Sequence, residues 1–199
     1  MTQPKMKTAN WLLAALLALP VASYGAMVKT KACRDTAPTA RSYTWNFSRE
    51  ATRLLNDVRD DAMKIREDGR QLDNFVKEPE TIDWRAHADK LAYIKADVND
   101  IGAKLCRLET IRSAAMPWQK KAIDRTATDD RLLAMSTTNA LQFLTSHEHL
   151  TWSPTYGTYA DNIVRQSTDL ARFVGQSEHL AKLRREEMQA RREVNRTAS

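Results

Sequence analysis

The chain has 199 residues, 42% of them hydrophobic, and a formal net charge of +6. That length supports one domain with a real core. Only five glycines and six prolines occur, and β-branched and aromatic residues form no alternating runs, which excludes a strand-rich fold. The charge sits in the flanks. Residues 46–180 hold 19 basic against 21 acidic groups, while residues 27–45 and 181–199 each carry +3. A slightly acidic body with interspersed charge argues against nucleic acid as a partner.

The N-terminus reads as an export signal. Lys5 and Lys7 precede the apolar run Trp11 to Leu19, Pro20 breaks it, and the small residues Ala22, Ser23, Gly25 and Ala26 follow. This succession predicts a signal peptide over 1–26, removed between Ser23 and Met27, and a secreted or periplasmic location. The alternative is an uncleaved membrane anchor over Trp11 to Val28, although Pro20 and Ser23 interrupt it. Residues 27–45 have no period and contain Pro38, so they form an extended basic lead. The two basic flanks suit contact with an anionic envelope surface.

The domain proper, residues 46–180, follows a 3-4-3-4 spacing of apolar positions, the pattern of helices that bury one stripe. A first helix is predicted from about Asn46 to Lys77, with the stripe Leu55, Val58, Ala62, Ile65, Gly69, Leu72 and Val76. Pro79 ends it, and Thr81 or Asp83 can cap the second helix, which runs to about Ser113. The second stripe is Trp84, His87, Leu91, Ile94, Val98, Ile101, Leu105 and Leu108. Pro117 opens a third helix to about His149, with Ala122, Thr126, Asp129, Leu133, Ser136, Ala140, Phe143 and His147 on its stripe. Thr126 to Arg131 is its weakest stretch, where a kink could turn Asp129 outward. Ser153 and Pro154 form a cap and first turn for a fourth helix with the stripe Tyr156, Tyr159, Ile163, Gln166, Leu170, Phe173 and Leu180. Residues 181–199 keep helical composition but lose that stripe, so they fray or project. The fold class is therefore all-α, an antiparallel up-down-up-down four-helix bundle behind a signal peptide. Trp45 and Trp118 would close one end of the core, and Trp84 and Trp152 the other.

Few residues carry chemistry. Four-helix bundles of exported proteins include cytochrome c-prime and its haem-b relatives, which this architecture resembles. The chain lacks their ligand signatures: neither cysteine stands in a Cys-x-x-Cys-His motif, and no cofactor is called for. There is no GxSxG and no Gly-rich phosphate loop, so an enzyme is the least supported class. The antiparallel count brings His87, His147 and His149 to one end, a candidate zinc or copper site. His147 and His149 stand two apart, however, and point to different sides of one helix. Ser136 and Gln166 fall level as a polar pair in the core, expected to satisfy one another and fix helix register. Cys33 and Cys106, in an exported chain, are expected to form a disulfide that staples the lead onto the bundle. The sequence supports an exported, non-enzymatic bundle acting as a binding or structural component of the cell envelope. Its rivals are a metal- or small-ligand-binding bundle at the His87/His147 end, and a holdase-like envelope chaperone with a contiguous exposed apolar patch.

Overall fold

The computed structural model describes residues 47–78 and 83–197, and its regular elements are all helical. α1 spans Phe47–Lys77, α2 Trp84–Thr110, α3 Pro117–Ser146 and α4 Pro154–Thr197, with a 3-10 turn at Arg112–Ala114 between α2 and α3. The expected signal peptide, the lead over 27–45, Cys33, Trp45 and Thr81 lie outside the described residues. No described helix is long and apolar enough to cross a membrane.

Local chemistry sets the helix ends. Asp83 has extended backbone angles and accepts a hydrogen bond from the Arg85 amide at 3.4 Å, capping α2. Pro117 occupies the first turn of α3, where its missing N–H costs nothing. Ser153 Oγ accepts from the Tyr156 amide at 3.3 Å, and Pro154 follows it to open α4. His147 ends α3, with Nδ1 3.2 Å from the Phe143 carbonyl.

Each helix packs against two neighbours, in the cyclic order α1, α2, α3, α4 and back to α1, with little contact between α1 and α3. Partners of α1 descend along α2: Glu50 bonds Arg107 at 2.6 Å, Asp61 bonds Lys104 at 2.5 Å and Asp68 bonds Lys90 at 2.9 Å. They descend along α4 as well, from Asn56 on Glu178 at 3.2 Å, through Gly69 against Ile163 and Val164, to Val76 against Gly157. A Cβ built on Gly69 would lie 3.1 Å from Cγ2 of both Ile163 and Val164, so glycine is what lets α1 and α4 approach there.

On α1 and α2 the expected stripes are buried almost residue for residue, with Val76, Trp84 and Leu105 half-buried at their margins. α3 runs unbroken through Thr126 to Arg131. Asp129 stays on the stripe, buried, with its carboxylate 2.9 Å from Arg125 Nε. The α4 stripe needs correction. Tyr156, Ile163 and Leu170 are buried as expected, but Ala160, Ser167, Val174 and Ala181 occupy the alternate positions, not Tyr159, Gln166, Phe173 and Leu180. Bulk misdirects the reading here: small Ala160 and Ser167 suit the close approach at Gly69, and larger neighbours are turned to the flanks. Trp152 does not close the core either. It is 57% exposed in the α3–α4 link, whereas Trp84 and Trp118 are half-buried against the core.

Candidate functional site

The histidine end does not form the ligand set that the spacing suggested. His87, in the first turn of α2, is fully buried, with the rings of Phe75 and Tyr156 each 5.5 Å from its own. Neither of its nitrogens has a hydrogen-bond partner among the described residues. Burial lowers its pKa to about 4, because a charged imidazole there would lose its hydration, so the ring is neutral at neutral pH. His147 is exposed and stacks on Phe143 with ring centroids 4.6 Å apart. His149 is also exposed, in the turn beyond. Among the described residues no three His, Cys, Asp or Glu side chains are grouped to hold a metal ion. The helix phase is the reason: it drives His87 inward among aromatic rings, while the end of α3 releases His147 and His149 to solvent.

The expected polar pair does not form a bond. Ser136 is buried on α3, and Gln166 is half-buried on α4 with Oε1 shielded and without a partner. Two core hydroxyls turn instead to their own helix. Ser167 Oγ donates to the Ile163 carbonyl at 2.7 Å, and Thr137 Oγ1 to the Leu133 carbonyl at 2.9 Å. A hydroxyl that can reach the carbonyl four residues back needs no partner on another helix. The Cys33–Cys106 pairing involves a residue outside the described set; Cys106 itself is half-buried on α2.

The opposite end of the bundle holds two features that the sequence reading passed over. The first is Gln119, fully buried at the start of α3. Its Oε1 accepts from the Met116 amide at 2.7 Å and from Ser48 Oγ at 3.3 Å. Its Nε2 donates to the Ser48 carbonyl at 2.7 Å and to Thr52 Oγ1 at 2.9 Å. One amide thus caps α3 and ties its start to the first turn and a half of α1.

The second is a groove of about 480 Å³ where α4 runs past the start of α3. Met116, Trp118 and Phe173 supply apolar wall, and Leu180 and Met188 carry it along α4. Among the described residues that line it, the charges come from Lys121, Arg184 and Arg185, all positive, and there is no histidine or carboxylate. Leu180 and Met188 are 55% and 52% exposed, so apolar area that the bundle would otherwise cover faces the groove. The signal for it was present in the chain. The α4 stripe steps by seven from Val174 to Ala181, Met188 and Asn195, but small Ala181 and polar Asn195 hide it as a core stripe.

An open apolar trough with a cationic rim can hold an apolar body bearing negative charge. No family model, no curated protein and no solved structure matches the chain.

Proposed function

We propose that this chain is an exported, non-enzymatic binding component of the cell envelope, an antiparallel up-down-up-down bundle whose working surface is the groove between the start of α3 and the overshooting part of α4. The descending series of α1 partners along α2 and α4 supports the antiparallel arrangement. The observation that carries the binding reading is the groove itself, with half-buried Met116, Trp118 and Phe173 and exposed Met188 beside Lys121 and Arg184. Its volume lies in the range of ordinary ligand clefts, roughly 300–1,000 Å³. Other exposed apolar side chains, such as Tyr93 on α2, Met135 on α3 and Trp152 in the α3–α4 link, belong to different elements, and a single holdase surface would need them together.

The test uses anilinonaphthalene sulfonate, an apolar anion whose emission rises in such a site. Purified mature protein should bind it saturably, and Phe173→Ala or Met188→Asp should weaken binding without lowering the melting temperature by more than a few degrees. Equal binding to all three proteins would place the dye elsewhere and remove the groove as the working surface. Export is tested separately, by the N-terminal residue of the protein recovered from the envelope. A sequence starting between Tyr24 and Met27 is expected, and an intact Met1 would favour the anchored form.

A further inference from the structure

Past Ala181, α4 continues as an exposed helix to Thr197, and its charges are segregated. At 100° per residue, Arg184, Arg185, Arg191, Arg192 and Arg196 share an arc of about 140° centred near Met188. Glu186, Glu187 and Glu193 fall on the other side, where Lys182 also lies, 4.0 Å from Glu186. The arginine arc is the face that lines the groove through Arg184, Arg185 and Met188, and it continues through Arg192. Arg191 pairs with Glu187 at 2.7 Å, but no ion pair engages Arg184, Arg185, Arg192 or Arg196 among the described residues. The two arginine pairs stand one heptad apart, and Val174, Ala181, Met188 and Asn195 keep the same seven-residue step as the buried stripe.

We propose that this face docks an acidic helix of a partner protein, which extends the bundle in coiled-coil register. Resting on the groove reading above, the proposal names its ligand as a helix with small or apolar residues on its seam and Glu or Asp flanking that seam. Charge separates this occupant from the others. A second copy would oppose arginine to arginine. Residues 27–45 of this chain carry +3 and would be repelled in the same way. An anionic bilayer requires one apolar face to insert, yet the exposed Leu183 and Val194 lie on the glutamate side of the helix, opposite Met188. A helix lying in a groove needs only a narrow apolar seam with complementary charge along its edges. From Phe173 to Arg196 the face is about 35 Å long, which sets the partner segment at roughly three heptads.

The experiment titrates the mature full chain into two labelled synthetic helices of about 21 residues, read by fluorescence anisotropy at low salt. Both carry Leu and Ala on the seam; one has Glu at the flanking positions and the other Lys. The acidic helix should bind about ten-fold or more tightly than the basic one, and added salt should narrow the gap. Arg185→Glu with Arg192→Glu, both at exposed positions, should reverse that preference while the circular dichroism melt stays in place. Equal binding of the two helices, or a preference that survives the charge reversal, would overturn the proposal. So would phosphatidylglycerol vesicles that compete the acidic helix away at lower concentration than unlabelled helix does. If the dye still finds the groove while neither helix binds, the acidic-helix proposal alone falls; if the dye also fails to bind, the groove reading falls with it.

Discussion

Replacing His87 by leucine should remove a pH-dependent weakness from the core. The wild-type ring is fully buried between Phe75 and Tyr156, and neither ring nitrogen has a partner among the described residues. A buried polar atom left unsatisfied costs about 1–3 kcal/mol, whereas the two ring contacts that leucine forfeits are worth about 0.5–1.5 kcal/mol each. The terms oppose one another, so His87→Leu should lie within about 1–2 kcal/mol of wild type at neutral pH. Acid separates the two proteins. The folded pKa is about 4 against an ordinary 6.5, so the unfolded chain takes up the proton first. The neutral ring's contribution is complete above pH 6.5 and is lost as pH falls through about 4. A gap of that size corresponds to roughly 3 kcal/mol. Tyr156, whose ring packs on His87, has its pKa pushed up by burial and stays neutral across this window. Urea unfolding followed by circular dichroism at about pH 7.5, 6, 5 and 4 would measure both proteins. Wild type should lose roughly 3 kcal/mol more than His87→Leu over that range, the remaining carboxylates cancelling in the difference. Parallel pH profiles, or a loss of more than about 3 kcal/mol in the variant at neutral pH, would refute the reasoning, since the ring would then have to be held by hydrogen bonds.

Asp130, half-buried on α3 with Oδ1 shielded and without a hydrogen-bond partner among the described residues, should show the opposite sign. Burial pushes its pKa up to about 7, so the native state holds the proton more tightly than the unfolded chain, and stability falls as pH rises toward 7. The stability gained by Asp130→Asn should therefore grow by roughly 2–3 kcal/mol between pH 5 and pH 8, read by the same urea titrations. In wild type the Asp130 and His87 slopes run against each other, so single variants will expose what the parent profile hides. Gln119→Ala should cost roughly 2–4 kcal/mol, since it strands the Met116 amide, removes the amide bonds to Ser48 and Thr52 and leaves a cavity; a loss below about 1 kcal/mol in thermal unfolding would deny that amide its role in joining α1 to α3. Non-reduced mature protein should present no alkylatable thiol by intact mass, and reduction should lower its stability by roughly 2–4 kcal/mol. Two labelled cysteines before reduction would remove the Cys33–Cys106 bridge.

The helices themselves were legible because what specifies them is local. Asp83, Pro117, and Ser153 with Pro154 mark helix starts by chemistry acting over three or four residues, and the seven-residue step of Leu55 to Leu72 or Leu91 to Leu108 needs no knowledge of a partner. Three of the four stripes followed from that alone, except in the last turn of α3, where Leu144 is buried, Phe143 half-buried and His147 exposed. The phase of the α4 stripe did not, because which of its faces meets α1 depends on the close approach of Gly69 to Ile163 and Val164, a distance belonging to two helices and not to one. The fate of the polar residues depended on neighbours in the same way. His87 was enclosed by rings from α1 and α4, Ser167 was satisfied within its own helix, and Gln119 found Ser48 and Thr52 about 70 positions away. The groove arises last of all. Arg184 and Met188 read as part of an ordinary charged tail until the start of α3 is fixed in space, and α4 continues beyond it with no described helix opposite. Periodicity along a chain determines which face a helix must bury; where that burial stops is set by the ends of its neighbours, and only the packed structure decides it.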